Sequence, residues 1–376
     1  MKGDIMKKII FAICISILLA GASACYAADT VKFLVVGPMT GDSAGQGFQM
    51  KTGTQIAVDE INASGGIGGK KVEFEVADDV GTPNQATIIA QKYSLDKDLL
   101  FVLGHNNSSC SIAALPIWQK AGLPVISPSN TSASITRLGY GNYFRVITND
   151  DIMSKQLCEF AIKKLGMKKP ALIWENSDYG KGMRDVSAAA IPELGVEVVA
   201  EDSFISGVDR DYSAIITKYK GLGVDGVLFL GDYTGGGLFA KQAKNLGLNV
   251  QLAGSSSCSH PKLIEIGGDA TENFYVVAPF DPFDTRPRQA KFIDNFLNAA
   301  KERPGEWGAD AYDIVYLVKL AYERGGTDRE SLIKALHEIE LFEGVTGNFK
   351  FDEFGDVDKD SLMLVVKDQK FTRYEE

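Results

Sequence analysis

The chain has 376 residues, a formal net charge of −10, 45% apolar residues and 23% charged residues. That is ordinary globular usage, and it excludes collagen, coiled coil and a disordered chain. An acidic sequence without a basic run also lacks the electrostatic footprint of a nucleic-acid binder.

Met1 to Ala27 differs in character from the rest of the chain. Lys7 and Lys8 precede an apolar run from Ile9 to Gly21, and small residues come next, the layout of a secretory signal peptide. The run falls short of the roughly 20 apolar residues that a spanning helix needs. Cleavage after Ala27 or after Ala24 fits the small-residue rule, and the second leaves Cys25 open to lipid attachment. Lys2, Lys7 and Lys8 against Asp4 give this leader a charge of +2, so the remainder carries −12. A soluble chain exported to the periplasm is expected. Cys110, Cys158 and Cys258 remain after the leader, enough for one disulfide at most.

Strand-like and helix-like runs then alternate. Val31 to Gly37 reads as a buried strand, Gly47 to Asn62 as a helix closed by Gly65-Gly66, and Val72 to Ala77 as a strand with one polar face. A helix over 82–96, a strand over 99–103, a helix over 111–120 and a strand over 124–127 complete the first unit. A helix over 150–164 opens a second, with strands at 171–174, 196–200 and 224–230. Between these strands lie helices near 182–193 and 211–220, and a further helix near 237–246 leads to a strand at 251–253. Helices near 288–301, 309–324 and 329–338 come next, then strand-like pieces at 347–351 and 362–366. Such alternation predicts an α/β fold of two doubly wound lobes with mainly parallel central sheets. Ligands of such sheets sit at the carboxyl ends of the strands, and a cleft between lobes is a usual small-molecule site.

The sequence offers little for catalysis. Gly65-Gly66-Ile67-Gly68-Gly69-Lys70 has Ser64 where a phosphate loop needs its first glycine and Lys71 where it needs Ser or Thr, so it reads as a helix stop and turn. Gly45-Gln46-Gly47 has Met50 where a dinucleotide fingerprint wants a small residue. His105, His260 and His337 come without a Cys-x-x-Cys pair, which leaves a zinc site unsupported. Ser255-Ser256-Ser257 lacks the glycines of a nucleophile elbow. Neither a metal nor a cofactor is expected, and no enzyme is required.

Two hydroxyl-rich segments sit directly after strands of the first unit. In 104–111, Ser108 or Ser109 can cap the following helix, and free N–H groups at that helix start make an anion site without Lys or Arg. The second, 127–133, supplies Ser129, Asn130 and Thr131. Either alone reads as a cap or polar turn; together they could hold a carboxylate. In the second unit Tyr179 and Tyr233 come after strands, each presenting an apolar ring with a polar tip.

In order along the chain, these residues resemble the periplasmic binding proteins for leucine, isoleucine and valine that feed ATP-binding-cassette transporters. The matching stretches are Val36-Gly37-Pro38-Met39-Thr40-Gly41, Asp59-Glu60-Ile61-Asn62-Ala63-Ser64-Gly65-Gly66-Ile67, Asp78-Asp79, Gln85-Ala86, Gly104-His105 with Ser108-Ser109, and Ser127-Pro128 with Thr131. The resemblance implies two lobes joined by three crossovers and closing on a ligand. It implies discontinuous lobes, 28–148 with 279–343 and 149–278 with 344–376. It also implies that Ser108 and Thr131, helped by Ser129, hold an amino acid's carboxylate, that Tyr179 and Tyr233 are the second-lobe aromatics, and that Gln46 stands where the family often has an aromatic.

Leucine-binding members place a Glu after the strand matching 251–253, where it meets the ligand ammonium. Here that segment holds Ser255, Ser256 and Ser257 and no acid. Asp150, Asp232 and Asp281 are the possible replacements, since an unpaired ammonium in a closed cleft is costly. The family's disulfide lacks counterparts, because Val80-Gly81 follows Asp79 and Asn107 stands where the partner cysteine often does. The expectation is a monomeric, non-catalytic solute-binding protein that delivers a small carboxylate-bearing solute, an amino acid, to an ABC permease. The alternatives are an aromatic or other organic acid without an amine, or a ligand sensor for a signalling partner.

Overall fold

The computed structural model describes residues 30–375; the leader expected at Met1 to Ala27 lies outside them. The first sheet has the order β2-β1-β3-β4-β5, every pairing parallel. Its strands are β1 (Thr30–Gly37), β2 (Lys71–Asp78), β3 (Leu99–Gly104), β4 (Val125–Ser127) and β5 (Tyr143–Arg145). Helices α1 (Ala44–Ala63), α2 (Pro83–Tyr93) and α3 (Ser108–Lys120) connect them. Strand β3 is buried along its whole length, as expected of a parallel strand covered on both faces. Gly66 N–H bonds back to Ile61 C=O at 2.9 Å, and Gly65 and Gly66 both have positive φ, so the glycine pair does end α1.

The second sheet has the order β14-β13-β10-β9-β8-β6-β7. Its parallel part comprises β6 (Pro170–Glu175), β7 (Ala200–Phe204), β8 (Gly226–Leu230), β9 (Gln251–Gly254) and β10 (Phe274–Ala278). An antiparallel hairpin, β13 (Leu362–Lys367) and β14 (Lys370–Arg373), extends one edge. Helices α4 (Asp150–Glu159), α5 (Asp178–Glu193), α6 (Ser213–Leu222), α7 (Tyr233–Asn245) and α8 (Lys262–Gly267) belong to this lobe. The single helix expected over 150–164 changes to a π-helical segment at Phe160–Lys164.

The strand expected at 196–200 forms later, at Ala200–Phe204. Val196 and Val198 pack into the core, but ladder pairing begins where Ala200 meets Ala171. Strand β5 carries no sequence signal of its own; three residues are too few to show a period.

Each sheet has an apolar cluster on both faces. In the first lobe, Phe33, Val35, Phe101 and Leu103 face α1 together with α9 (Pro287–Ala300), α10 (Glu306–Glu323) and α11 (Arg329–His337), while Leu34, Val36 and Val102 face α2 and α3. In the second lobe, Ile173, Val227 and Phe229 face one layer of helices and Leu172, Leu228 and Leu230 the other. Each such aliphatic or aromatic side chain contributes about 1.5–3 kcal/mol on burial.

The chain passes between the lobes after β5, after β10 and before β13. The third passage corrects the lobe boundary expected at 343/344. The hairpin β11 (Phe342–Gly344) and β12 (Gly347–Phe349), followed by Phe351 and Val357, packs in the first-lobe core. Two of the passages are tied directly: Thr148 Oγ1 donates to Lys359 C=O at 2.8 Å, and Lys359 N–H donates to Thr148 Oγ1 at 3.0 Å.

Candidate functional site

Both lobes share one winding. Read from β7, the parallel part of the second sheet runs β7-β6-β8-β9-β10, the same pattern as β2-β1-β3-β4-β5. In each, the order reverses beside the first strand, between β1 and β3 and between β6 and β8, and the loops there part to leave a crevice. Loops 38–43 and 105–107 leave the first switch point, loops 176–177 and 231–232 the second, and the two crevices face each other. Gly104 allows the first to form: a Cβ there would lie 2.1 Å from Val36 C=O, and its φ is +140°.

The expected helix cap is corrected. Asn107 is the N-cap of α3 and its side chain caps nothing, whereas Ser177 caps α5 and Asp232 caps α7. Ser108 Oγ instead accepts from Ser132 N–H at 3.4 Å, and Ser109 Oγ accepts from Asp178 N–H of the other lobe at 3.1 Å. The start of α3 is therefore left to attract an anion, a favourable interaction of about 0.3–1 kcal/mol, up to about 2 when partly buried.

Arg145, which sequence reasoning missed, shapes the loop after β4. Fully buried, it pairs with Asp356 through Nε at 2.5 Å and donates from Nη1 to Asn130 C=O at 3.1 Å and to Ser132 C=O at 2.8 Å. This clamps both sides of Thr131. Asn130 is itself spent on the scaffold: its Oδ1 accepts from Ser111 and Tyr143, and its Nδ2 donates to Asn106 C=O at 2.7 Å. It braces the loop from both ends of its amide.

Thr131 C=O accepts from Asp150 N–H at 2.8 Å, which brings the start of α4 against the hydroxyl loop. Asp150 is 1% exposed, and neither of its carboxylate oxygens has a hydrogen-bond partner. The Thr131 and Tyr179 hydroxyls are likewise buried and unpartnered. Burial pushes the Asp150 carboxyl up to about 7, against a smaller opposing effect of the nearby Thr131 hydroxyl and Arg145 charge. An isolated buried carboxylate carries a desolvation penalty of several kcal/mol.

The other two candidate acids are committed elsewhere. Asp232 accepts from Gly235 N–H at 2.8 Å and Ser206 Oγ at 2.9 Å. Asp281 lies away from the switch points, where it pairs with Arg373 of β14 and caps the turn at Phe283 N–H. A hairpin added at the sheet edge brings that arginine in, and no local sequence signal announces it.

Ser256 is buried in the turn after β9, and Gln46 accepts from Asn106 Nδ2 at 2.6 Å. Ser129 Oγ donates to the Asn106 carbonyl and side chain. Tyr233 reaches the first lobe through Gly45 N–H at 3.1 Å. Two acids escaped the sequence reading. Glu175, ending β6, is pushed up to about 8 by burial and by the charge of Asp232. Glu306, starting α10, is pushed up to about 8 by burial and accepts from Ser259 Oγ of the second lobe at 3.0 Å.

His105 is no metal ligand here: its Nδ1 lies 2.7 Å from Asp79 Oδ2 and its Nε2 accepts from Trp118 at 3.4 Å. Cys110, Cys158 and Cys258 are free and buried. Among the described residues, no helix is long and apolar enough to cross a membrane.

Comparison with known proteins places this geometry. Residues 30–370 match the family model described as periplasmic binding protein. The chain belongs to that family. A leucine-, isoleucine-, valine-, threonine- and alanine-binding protein of Pseudomonas aeruginosa is 32% identical over 94% of this chain and 92% of its own length. A leucine-binding protein of Thermotoga maritima superposes with a TM-score of 0.86 at 28% identity, covering 92% of this chain and 98% of that one. The branched-chain amino acid transporter substrate-binding protein of Streptococcus pneumoniae, solved with isoleucine, gives 0.86 at 29%, covering 91% and 97%. This periplasmic binding protein thus has the type I fold of two mainly parallel lobes, with its hydroxyl loops and its unpaired carboxylate between them.

Proposed function

We propose that this periplasmic binding protein captures a small α-amino acid between its lobes and delivers it to an ABC permease on the outer face of the membrane. The observation that carries this reading is Asp150: a buried carboxylate that no cation contacts, beside the unpartnered hydroxyl of Thr131. A zwitterion answers both halves of that arrangement. Its carboxylate takes hydrogen bonds from Ser108 and Thr131 and from the uncapped start of α3, while its ammonium neutralises Asp150. Tyr179, whose buried hydroxyl is free, closes the same space from the second lobe.

The acid that leucine-binding relatives carry after the strand matching β9 is thereby supplied from α4. Binding of a partner charge repays the desolvation that Asp150 suffers alone. Lobe closure around the solute is the signal a permease would read, and contacts such as Ser109 with Asp178 form only when the lobes meet. The reading follows the relatives in transport role; their ligands are theirs.

Mass spectrometry of the small molecule released on denaturing protein purified without added ligand tests the proposal. An α-amino acid is expected. Recovery of an acid without an amine, with no amino acid bound in direct titration, would replace it by the organic-acid reading.

A further inference from the structure

Loop 38–43, which leaves β1 at the first switch point, is fixed at one end and gripped at the other. Asp78, the last residue of β2, accepts from Met39 N–H at 2.9 Å and from Thr40 Oγ1 at 2.6 Å, which mounts the loop on its own lobe. Two residues on, Asp42 meets the second lobe. Arg210 Nη2 donates to Asp42 Oδ1 at 2.7 Å, and Thr234 Oγ1 of α7 donates to the Asp42 main-chain carbonyl at 3.2 Å.

Arg210 is mounted as firmly, in the loop between β7 and α6. Asp209 beside it accepts from Ile205 N–H at 2.7 Å. Gln242 of α7 donates to Arg210 C=O at 2.7 Å and accepts from Tyr212 N–H at 2.7 Å, which ties this loop to the helix that carries Thr234. Bonds within each lobe thus order the backbone under both charges. Only side-chain freedom is left to lose on pairing, the cost that limits most surface ion pairs. Charge gives the contact a second task. Ser206 Oγ donates to Asp232 at 2.9 Å, and a Cβ on the adjoining Gly207 would lie 3.9 Å from Asp42 Oδ2. Closing the lobes therefore carries the Asp42 carboxylate towards that of Asp232, and the Arg210 cation offsets their repulsion.

Resting on the lobe closure that the amino-acid reading requires, we propose that Asp42 and Arg210 form a latch, a pair of positioning residues that hold the lobes shut and so set how long the solute stays. The pair forms only when the lobes meet, so its loss speeds escape and leaves capture as it was. The Asp42 side chain is 26% exposed and that of Arg210 46%, so salt screens the pair and weakens the latch.

Ligand-stripped protein is titrated with L-leucine, L-valine, L-threonine, L-alanine and benzoate, and the tightest binder serves as the probe. Asp42→Asn, Arg210→Gln, their double variant and Arg210→Lys are then compared with the parent by calorimetry and stopped flow. Each neutral single variant should bind about two- to fivefold more weakly, through faster dissociation. The double variant should lose no more than Arg210→Gln alone, and Arg210→Lys, which keeps the charge, should recover part of the loss. Ligand-free melting temperatures should stay level with the parent, and the differences in affinity should shrink at about 1 M salt, where the screening length is about 3 Å. Losses that multiply in the double variant, an Arg210→Lys no better than Arg210→Gln, or a loss borne by association overturns the latch and leaves the amino-acid reading standing. Benzoate binding with no amino acid bound overturns that reading, while the same cycle still decides the latch. Binding of none of the five overturns both.

Discussion

The backbone N–H of Gly45 in the first lobe donates to the Tyr233 hydroxyl of the second at 3.1 Å. His260 stacks on that tyrosine with ring centroids 4.7 Å apart, and a Cβ built on Gly45 would lie 2.7 Å from His260 Nε2. Gly45→Ala therefore forces the lobes apart at this point while both cores stay as they are. Affinity for the solute should fall by roughly tenfold or more, which is about 1.4 kcal/mol. Small-angle scattering should show a larger radius of gyration at saturating solute. Unchanged affinity and radius would mean that the contact does not limit closure.

Asp150 links binding to stability through pH. Its folded value of about 7 lies above an unfolded carboxylate's roughly 3.9. Between those values the folded chain holds the extra proton, so the group lowers stability as pH rises from about 4 to about 7, and the full penalty applies above that. Asp150→Asn removes the penalty. The ligand-free variant should melt higher than the parent near pH 8 and about level with it near pH 4, by thermal melts across that series. In the parent, amino-acid affinity should weaken as pH drops below about 7 and the countercharge is lost. A variant that melts lower at every pH would contradict the assignment of Asp150 as an unpaired acid.

Lys359 and Asp310 form an ion pair at 2.8 Å with side chains 3% and 1% exposed, on the third passage between the lobes. Lys359 lowers the pKa of Asp310 against a burial that still leaves it at about 7, and Asp313 lies nearby as a like charge. Lys359→Met leaves both acids buried without their cation. Denaturant unfolding should show a loss of about 3–5 kcal/mol, and adding Asp310→Leu should recover much of it. An effect under about 1 kcal/mol would place the pair in contact with water.

Burial raises the thiol pKa of Cys110, Cys158 and Cys258, the second to about 11. These thiols should resist a disulfide reagent in the folded protein and react only on unfolding. A reducing agent should leave the melting temperature unchanged, whereas a drop in its presence would reveal a disulfide.

Much of the fold is legible in the sequence because parallel strands and their helices carry local patterns. Runs such as Phe33 to Val36 and Phe101 to Leu103 announce buried strands, and Ser108, Thr131, Tyr179 and Tyr233 stand just past the carboxyl ends of β3, β4, β6 and β8. What each polar group is bonded to is not legible. Asp150, Asp232 and Asp281 are equal candidates by residue type, and only their partners separate them: none for the first, a helix cap and Ser206 for the second, Arg373 for the third. Arg145 reaches Asp356 across more than two hundred residues, a contact that no local pattern encodes. The piece at 347–351 reads as strand from its residues, yet its partner Phe342–Gly344 does not, and the lobe both pack against is decided by Phe349 and Phe351 meeting a core built elsewhere.

In the proposed complex Asp150 holds the ammonium of a bound amino acid while Ser108, Thr131 and the start of α3 hold its carboxylate. Calorimetry of the best-binding amino acid and of its deaminated counterpart, on parent and Asp150→Asn protein, tests this directly. The parent should prefer the amino acid by at least about a hundredfold, or about 2.7 kcal/mol, and the variant should lose most of that preference. Equal affinity of the parent for both compounds, or a preference undiminished in Asp150→Asn, would contradict it.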